Sequence, residues 1–171
     1  MRYVWILALP FLFFSRPDAW GLLVGACVSL LGLCLRAFAS GCIHKEEELA
    51  TGGPYGIVRH PLYVGSFLVG FGLSLASGRG WLVVAFAVSF FWLYGRTVRA
   101  EEEKLEALFG ESFQRYRRDV PAFLPSLRCP AGFQDGRGFQ PWLYWRNKEW
   151  QAAVGTLAGY GLLWARMWLS G

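Results

Sequence analysis

The 171-residue chain is 54% apolar, 18% aromatic and only 17% charged, too apolar for an ordinary soluble domain and the opposite of a disordered composition. Its length allows one domain and leaves no room for a second catalytic one. The 17 Lys and Arg against 12 Asp and Glu give a net charge of +5, but long apolar stretches divide the excess, which argues against a nucleic-acid partner.

Apolar runs occupy residues 3–14, 19–35, 61–77, 80–95 and 151–169. A helix needs roughly 17–25 residues to cross a hydrocarbon core of about 30 Å, so most of these runs just reach. The chain is expected to be all-α: a polytopic membrane bundle of about five transmembrane helices, with an amphipathic cytoplasmic helix and no Rossmann fold. Three parts are expected: a helical hairpin at 1–38, a core at 39–127, and a loop with a final transmembrane helix at 128–171. The first run is the weakest, since Pro10 interrupts it and Ser15-Arg16-Pro17-Asp18 ends it. No small-x-small cleavage site follows Arg2, so a hairpin is a better reading than a signal peptide. Gly21, Gly25 and Gly32, and later Gly155 and Gly159, recur at spacings that let helix backbones approach closely.

Thirteen of the 17 basic residues fall in Arg36–Arg59 and Arg96–Lys148. The positive-inside tendency puts both segments in the cytoplasm, which requires a cytoplasmic N-terminus if five helices alternate. Trp142, Trp145, Trp150, Trp164 and Trp168 suit interfacial anchoring. Arg36 and Arg166 are close enough to helix ends to snorkel. Cys27, Cys34, Cys42 and Cys129 form no CxxC and read as buried or interfacial thiols, and Cys42 and His44 with His60 lack a sensibly spaced fourth ligand, so no metal site is expected.

Two stretches carry chemistry. In Leu49-Ala50-Thr51-Gly52-Gly53-Pro54-Tyr55-Gly56, continuing through Arg59-His60-Pro61-Leu62-Tyr63, a compact turn precedes a helix that Pro61 is suited to start. Tyr55, Arg59, His60 and Tyr63 then crowd at one helix mouth. A binding site, a satisfied histidine and an arginine on lipid phosphate are all compatible with that crowding. The second stretch runs from Arg99-Ala100-Glu101-Glu102-Glu103-Lys104-Leu105 to Tyr116, Val120-Pro121 and Leu124-Pro125. At 100° per residue Val98, Leu105, Phe109, Ser112 and Tyr116 share a side, so the fourth membrane helix is expected to continue as an amphipathic one. Glu101 and Glu102 flank the stripe and need a partner, either a cationic ligand or Arg59, whereas Glu103, Lys104 and Glu111 read as a solvated face. Gly70-Phe71-Gly72 fails to complete a GxGxxG fingerprint, and there is neither a P-loop nor a GxSxG motif.

Together, the Leu-Ala-Thr-Gly-Gly-Pro-Tyr…Arg-His-Pro-Leu-Tyr-Val-Gly stretch and the Glu-Glu-x-x-Leu…Phe-Gly…Tyr…Val-Pro…Pro stretch closely resemble the isoprenylcysteine carboxyl methyltransferase and phospholipid methyltransferase group. The resemblance covers about residues 40–127. It implies an integral membrane enzyme that takes a methyl group from S-adenosylmethionine (SAM) and passes it to a lipid or lipid-soluble acceptor. It also implies that Leu49, Ala50, Tyr55, His60, Pro61, Leu62, Tyr63 and Glu101 bind the cofactor. Arg59, Glu102 and Arg96 are candidates for the acceptor side, and His60 for the base that an amine or thiol acceptor would need. An aromatic face attracts a sulfonium, and a carboxylate fixes hydroxyl or amino groups. Prenylcysteine enzymes resemble this chain less in one respect, because they carry Arg one turn before the first Glu, where Thr97 stands here. Sterol-type NADPH reductases share an Arg-His-Pro-x-Tyr element but follow it with Gly-Glu, against Gly65-Ser66 here. A non-enzymatic helical assembly protein explains the helices and not the two polar clusters.

Overall fold

A computed structural model describes residues 11–43, 49–125 and 139–170. Among them there is no strand, and from Ala19 onward there are six α-helices: α1 (Ala19–Ser40), α2 (Pro61–Ala76), α3 (Gly80–Phe109), α4 (Glu111–Asp119), α5 (Pro141–Arg146) and α6 (Trp150–Ser170). Of the first apolar run only residues 11–14 are described, and they are helical; the rest of it, His44, and the loop with Cys129 lie outside the described residues.

Each helix starts where local chemistry allows it. Asp18 caps α1 by accepting from the Gly21 amide at 3.0 Å, which satisfies one of the amides a helix leaves unpaired at its start. Pro61 opens α2, where its missing amide costs nothing. The α2–α3 turn is closed by Gly78 at φ +68, and its neighbour Ser77 accepts from the Arg16 amide at 2.8 Å, pinning the entry of α1 beside the exit of α2.

α1 and α3 are long and apolar enough to cross a membrane, with 22 and 30 residues, and only 22% and 11% of their most apolar windows are buried. A soluble core helix of that composition would be enclosed; here Trp20, Leu30, Leu31, Val84, Val88 and Trp92 are exposed along their outer faces, as lipid-facing side chains are. α2, with 16 apolar residues, is shorter. Thirty residues make α3 about 45 Å long, so its C-terminal third runs on past a bilayer-sized stretch. The amphipathic extension expected there is real but not continuous: Gly110 adopts φ +50 and ends α3. α4 restarts with Phe113 and Tyr116 buried, not Ser112, because the break resets the helical phase. Phe113, Tyr116 and Val120 form a core against Leu49, Leu105 and Phe109.

α1 and α2 pack with their backbones almost in contact. A Cβ on Gly32 would lie 2.7 Å from the Gly65 carbonyl oxygen, and one on Gly72 would strike Ser29 Oγ and the Gly25 carbonyl. Small residues make this possible, and close approach maximises dispersion contacts where water contributes no driving force. Ser29 Oγ bonds the Val69 carbonyl at 3.1 Å and Tyr160 Oη at 2.9 Å, tying in α6. Gly159 packs on Leu73, whereas Gly155 faces open space. Cys27 and Cys34 are free and exposed on α1, so their surroundings are the outer apolar surface and not a core.

Arg36 has a counter-charge. Its guanidinium makes a two-pronged pair with Glu149, with contacts of 2.7 to 3.0 Å, and also donates to the Leu62 carbonyl at 3.2 Å and to Ser66 Oγ. Asn147 Nδ2 donates to the Ser40 carbonyl at 3.0 Å. These bonds bring the start of α6, the end of α1 and the start of α2 to the same end of the bundle. The described parts of both basic-rich segments lie at that end.

Candidate active site

The stretch before α2 and the stretch after the apolar part of α3 are locked together. The Arg59 amide donates to the Pro121 carbonyl at 2.8 Å and the His60 amide to the Ala122 carbonyl at 3.3 Å. Tyr116 Oη donates to the Tyr55 carbonyl at 2.7 Å. Arg59 reaches Glu102 Oε1 at 2.8 Å and spends Nη1 on the Arg117 and Val120 carbonyls. His60 Nε2 lies 3.1 Å from the same carboxylate oxygen. The side chains of Arg59, His60 and Glu102 are 9%, 5% and 11% exposed. Burial opposes ionisation of Glu102, but the His60 hydrogen bond and the Arg59 charge outweigh it and hold its carboxyl below the usual glutamate range.

Glu101 faces elsewhere. It accepts from Tyr63 Oη at 2.6 Å and, with Tyr63, lines a cavity of about 920 Å³. Leu49, Ala50, Tyr55, His60, Pro61 and Leu62 line the same cavity, as does Arg59. All eight residues expected to bind the cofactor are thus brought together. Of the three acceptor-side candidates, Arg59 reaches the wall but with its donors already committed to Glu102 and backbone carbonyls. Glu102 is behind the wall in that ion pair, and Arg96 is exposed on α3 with its guanidinium 6.0 Å from the Trp92 ring. Adjacent positions on α3 project about 100° apart, which gives the two neighbouring glutamates different roles: one in the cavity, one in the lock.

Tyr55 is 6% exposed, and its hydroxyl has no hydrogen-bond partner among the described residues. Burial, reinforced by Tyr116 and Glu101, pushes that hydroxyl well above its ordinary pKa, so it is a proton-bearing donor. A buried polar atom left unpaired costs about 1–3 kcal/mol, and Tyr55 as a residue lines the cavity. Tyr94 is the aromatic residue of the wall on α3: Tyr63 of α2 meets it edge to face at 5.1 Å, and Phe90 stacks on it at 4.1 Å.

The sequence reading missed part of the wall. Tyr94, Thr97, Ala100 and Lys104 extend the α3 face beyond Glu101, so Lys104 belongs to the wall and not to the solvated face expected of it, and Arg36, Asn147, Lys148, Glu149, Gln151 and Ala152 close another side. One signal was present: Arg36 inside an apolar helix requires a counter-charge, and Glu149 is the sole acid beside the last apolar run.

This geometry makes comparison with known proteins informative. Residues 35–112 match the phospholipid methyltransferase family. That segment holds most of the cavity wall, and the resemblance read from the two motifs is borne out. Over 84 residues the chain is 33% identical to the protein-S-isoprenylcysteine O-methyltransferase of Schizosaccharomyces pombe, covering 49% of this chain and 36% of that one. Over 81 residues it is 41% identical to the methanethiol S-methyltransferase of Pseudomonas deceptionensis, covering 47% and 30%. A nickel-cobalt-cadmium resistance protein of Alcaligenes xylosoxydans xylosoxydans is 36% identical over 106 residues, covering 61% and 48%. The chain therefore spans half or less of the length of these relatives. No solved structure matches it significantly. Among the described residues no group of three or more His, Cys, Asp and Glu is arranged to hold a metal ion.

Proposed function

We propose that the chain is a SAM-dependent methyltransferase acting on a membrane-dissolved or lipid-linked acceptor. The observation that carries this reading is the convergence of Tyr55, His60, Tyr63 and Glu101 on one cavity of about 920 Å³. The residues suit SAM: the Tyr55 hydroxyl, without a partner among the described residues, and the Glu101 carboxylate would supply a buried donor and an acceptor for its polar groups, and the rings of Tyr55 and Tyr63 suit a cation. SAM supplies an already activated methyl group when bound. The protein's part is then orientation and exclusion of water, and orientation contributes roughly 7–11 kcal/mol in favourable cases. Glu102 and Arg59 hold His60 in place, and with Nε2 donating to Glu102 the Nδ1 lone pair is the one able to take a proton from a thiol or amine.

Both guanidinium groups of the wall, Arg36 and Arg59, are already matched by carboxylates. That pairing, with Thr97 where prenylcysteine enzymes carry Arg, favours an uncharged acceptor such as a thiol over a prenylcysteine carboxylate. In this reading residues 39–127 form the catalytic core, the apolar helices cross the bilayer as a five-helix bundle, and the N-terminus and the basic-rich end face the cytoplasm.

Titration calorimetry of the detergent-purified protein with SAM and with NADPH tests the cofactor. SAM is expected to bind and NADPH is not; the reverse result would support a reductase, and binding of neither would support an assembly protein. Incubation of membranes with methyl-labelled SAM, followed by mass identification of the labelled product, names the acceptor.

A further inference from the structure

The Arg36–Glu149 pair stands between two cavities. One is the main cavity. The other is a side pocket of about 190 Å³ between α1 and the turn into α6, with Cys34, Ala37 and Ala153 in its wall. Arg36, Glu149 and Ala152 line both. Cys34 is exposed on the apolar outer surface of α1, so the side pocket reaches the face that the membrane reading turns to lipid.

We propose that this side pocket receives the uncharged alkyl part of the methyl acceptor, and that the Arg36–Glu149 pair is the partition it passes to bring its nucleophile into the main cavity. The inference rests on the methyltransferase reading above. Charge argues for the class of occupant: Arg36 spends Nε, Nη1 and Nη2 on Glu149, the Leu62 carbonyl and Ser66. At the partition itself an anionic acceptor would have to displace Glu149 to reach Arg36, whereas a neutral one meets a pair without net charge; the lysine cations, Lys104 and Lys148, line the main cavity and not the side pocket. Size argues for a short or narrow group, since the pocket holds the volume of about six waters at roughly 30 Å³ each. The partition also sits at a strained place. Lys148, beside Glu149, has φ +55 and is the sole non-glycine at positive φ among the described residues. Such backbone persists where the surroundings over-determine it, and it clusters at sites that bind or move.

Filling the pocket tests the idea. Cys34→Trp and Ala153→Leu narrow it, while Cys27→Trp places equal bulk on α1 outside both cavities. Membranes containing each variant are incubated with methyl-labelled SAM, and label is counted in organic-extractable and volatile product; SAM affinity is measured on the purified proteins. Both pocket variants are expected to lose tenfold or more of the product label at unchanged SAM affinity, with Cys27→Trp within twofold of the parent. Parental labelling by both pocket variants would overturn the proposal, and so would loss of SAM affinity in both, because they would then act through the fold. Absence of product label from the parent itself would instead overturn the methyltransferase reading.

Discussion

Replacing Glu102 by Ala removes the carboxylate shared by Arg59 and His60, whose side chains are 9% and 5% exposed. Breaking a buried ion pair from one side costs about 3–5 kcal/mol, because the remaining charge is stranded out of water. Arg59 keeps its bonds to the Arg117 and Val120 carbonyls, which places the expected loss near the lower end, about 3 kcal/mol. For a chain of this size each kcal/mol shifts Tm by about 2–4 °C, so Glu102→Ala should unfold about 6–12 °C below the parent. Thermal unfolding in detergent, followed by fluorescence of the nine tryptophans, reads this directly. Glu101→Ala is the control: its partner Tyr63 is a neutral hydroxyl facing the cavity, so its Tm should stay within about 3 °C while SAM affinity falls by about 10- to 150-fold, the worth of a hydrogen bond to a charged group. If Glu102→Ala melted with the parent, or Glu101→Ala lost as much stability as Glu102→Ala, the division of labour between the two carboxylates would be wrong.

Acid should reproduce part of the Glu102 effect. Because Glu102 is held below its usual range in the folded state, the unfolded chain binds the extra proton first. The contribution is therefore complete above the ordinary glutamate value of about 4.3 and lost as pH falls through the lower folded value; a Tm series from pH 3 to 6 should drop more steeply for the parent than for Glu102→Gln. Tyr55→Phe removes a hydroxyl that has no partner among the described residues, so Tm should hold or rise slightly while SAM binds about 2- to 12-fold more weakly, as expected for one hydrogen bond; unchanged affinity would remove Tyr55 Oη from the site. Gly72→Leu forces a side chain into Ser29 and the Gly25 backbone and should cost at least 1–3 kcal/mol as overpacking does, whereas Gly155→Leu, with nothing within 4 Å, should be neutral; equal Tm values for the two would contradict the α1–α2 contact.

Much of the architecture was legible because its causes are local. Apolar run length and Pro61 as a first helical residue act within a few residues, so α1, α2 and α3 begin where the sequence places them. The eight residues shared with a known motif were legible as a set because that motif is dense in glycine, proline and aromatic residues. What pattern alone placed wrongly was the continuation of α3: a uniform 100° step carries Ser112 onto the apolar side, and the positive φ of Gly110 cancels that phase.

Glu101 and Glu102 show where local reasoning ends. Both flank the apolar stripe and both need a partner, and helix periodicity distinguishes neither; only the family resemblance sets Glu101 apart as the cofactor carboxylate. Which one meets Arg59 and His60 and which one meets Tyr63 depends on how α3 is rotated against the segment before α2, and that rotation is set by the backbone pairing of residues 59–60 with 121–122 and by the Phe113–Tyr116–Val120 core. The closing of the cavity by Glu149 depends likewise on contacts between residues 113 positions apart. Composition, caps and turns are short-range terms written into consecutive residues; the assignment of a charge to a lock, a cavity or a partition is a long-range term that exists only once the helices are packed.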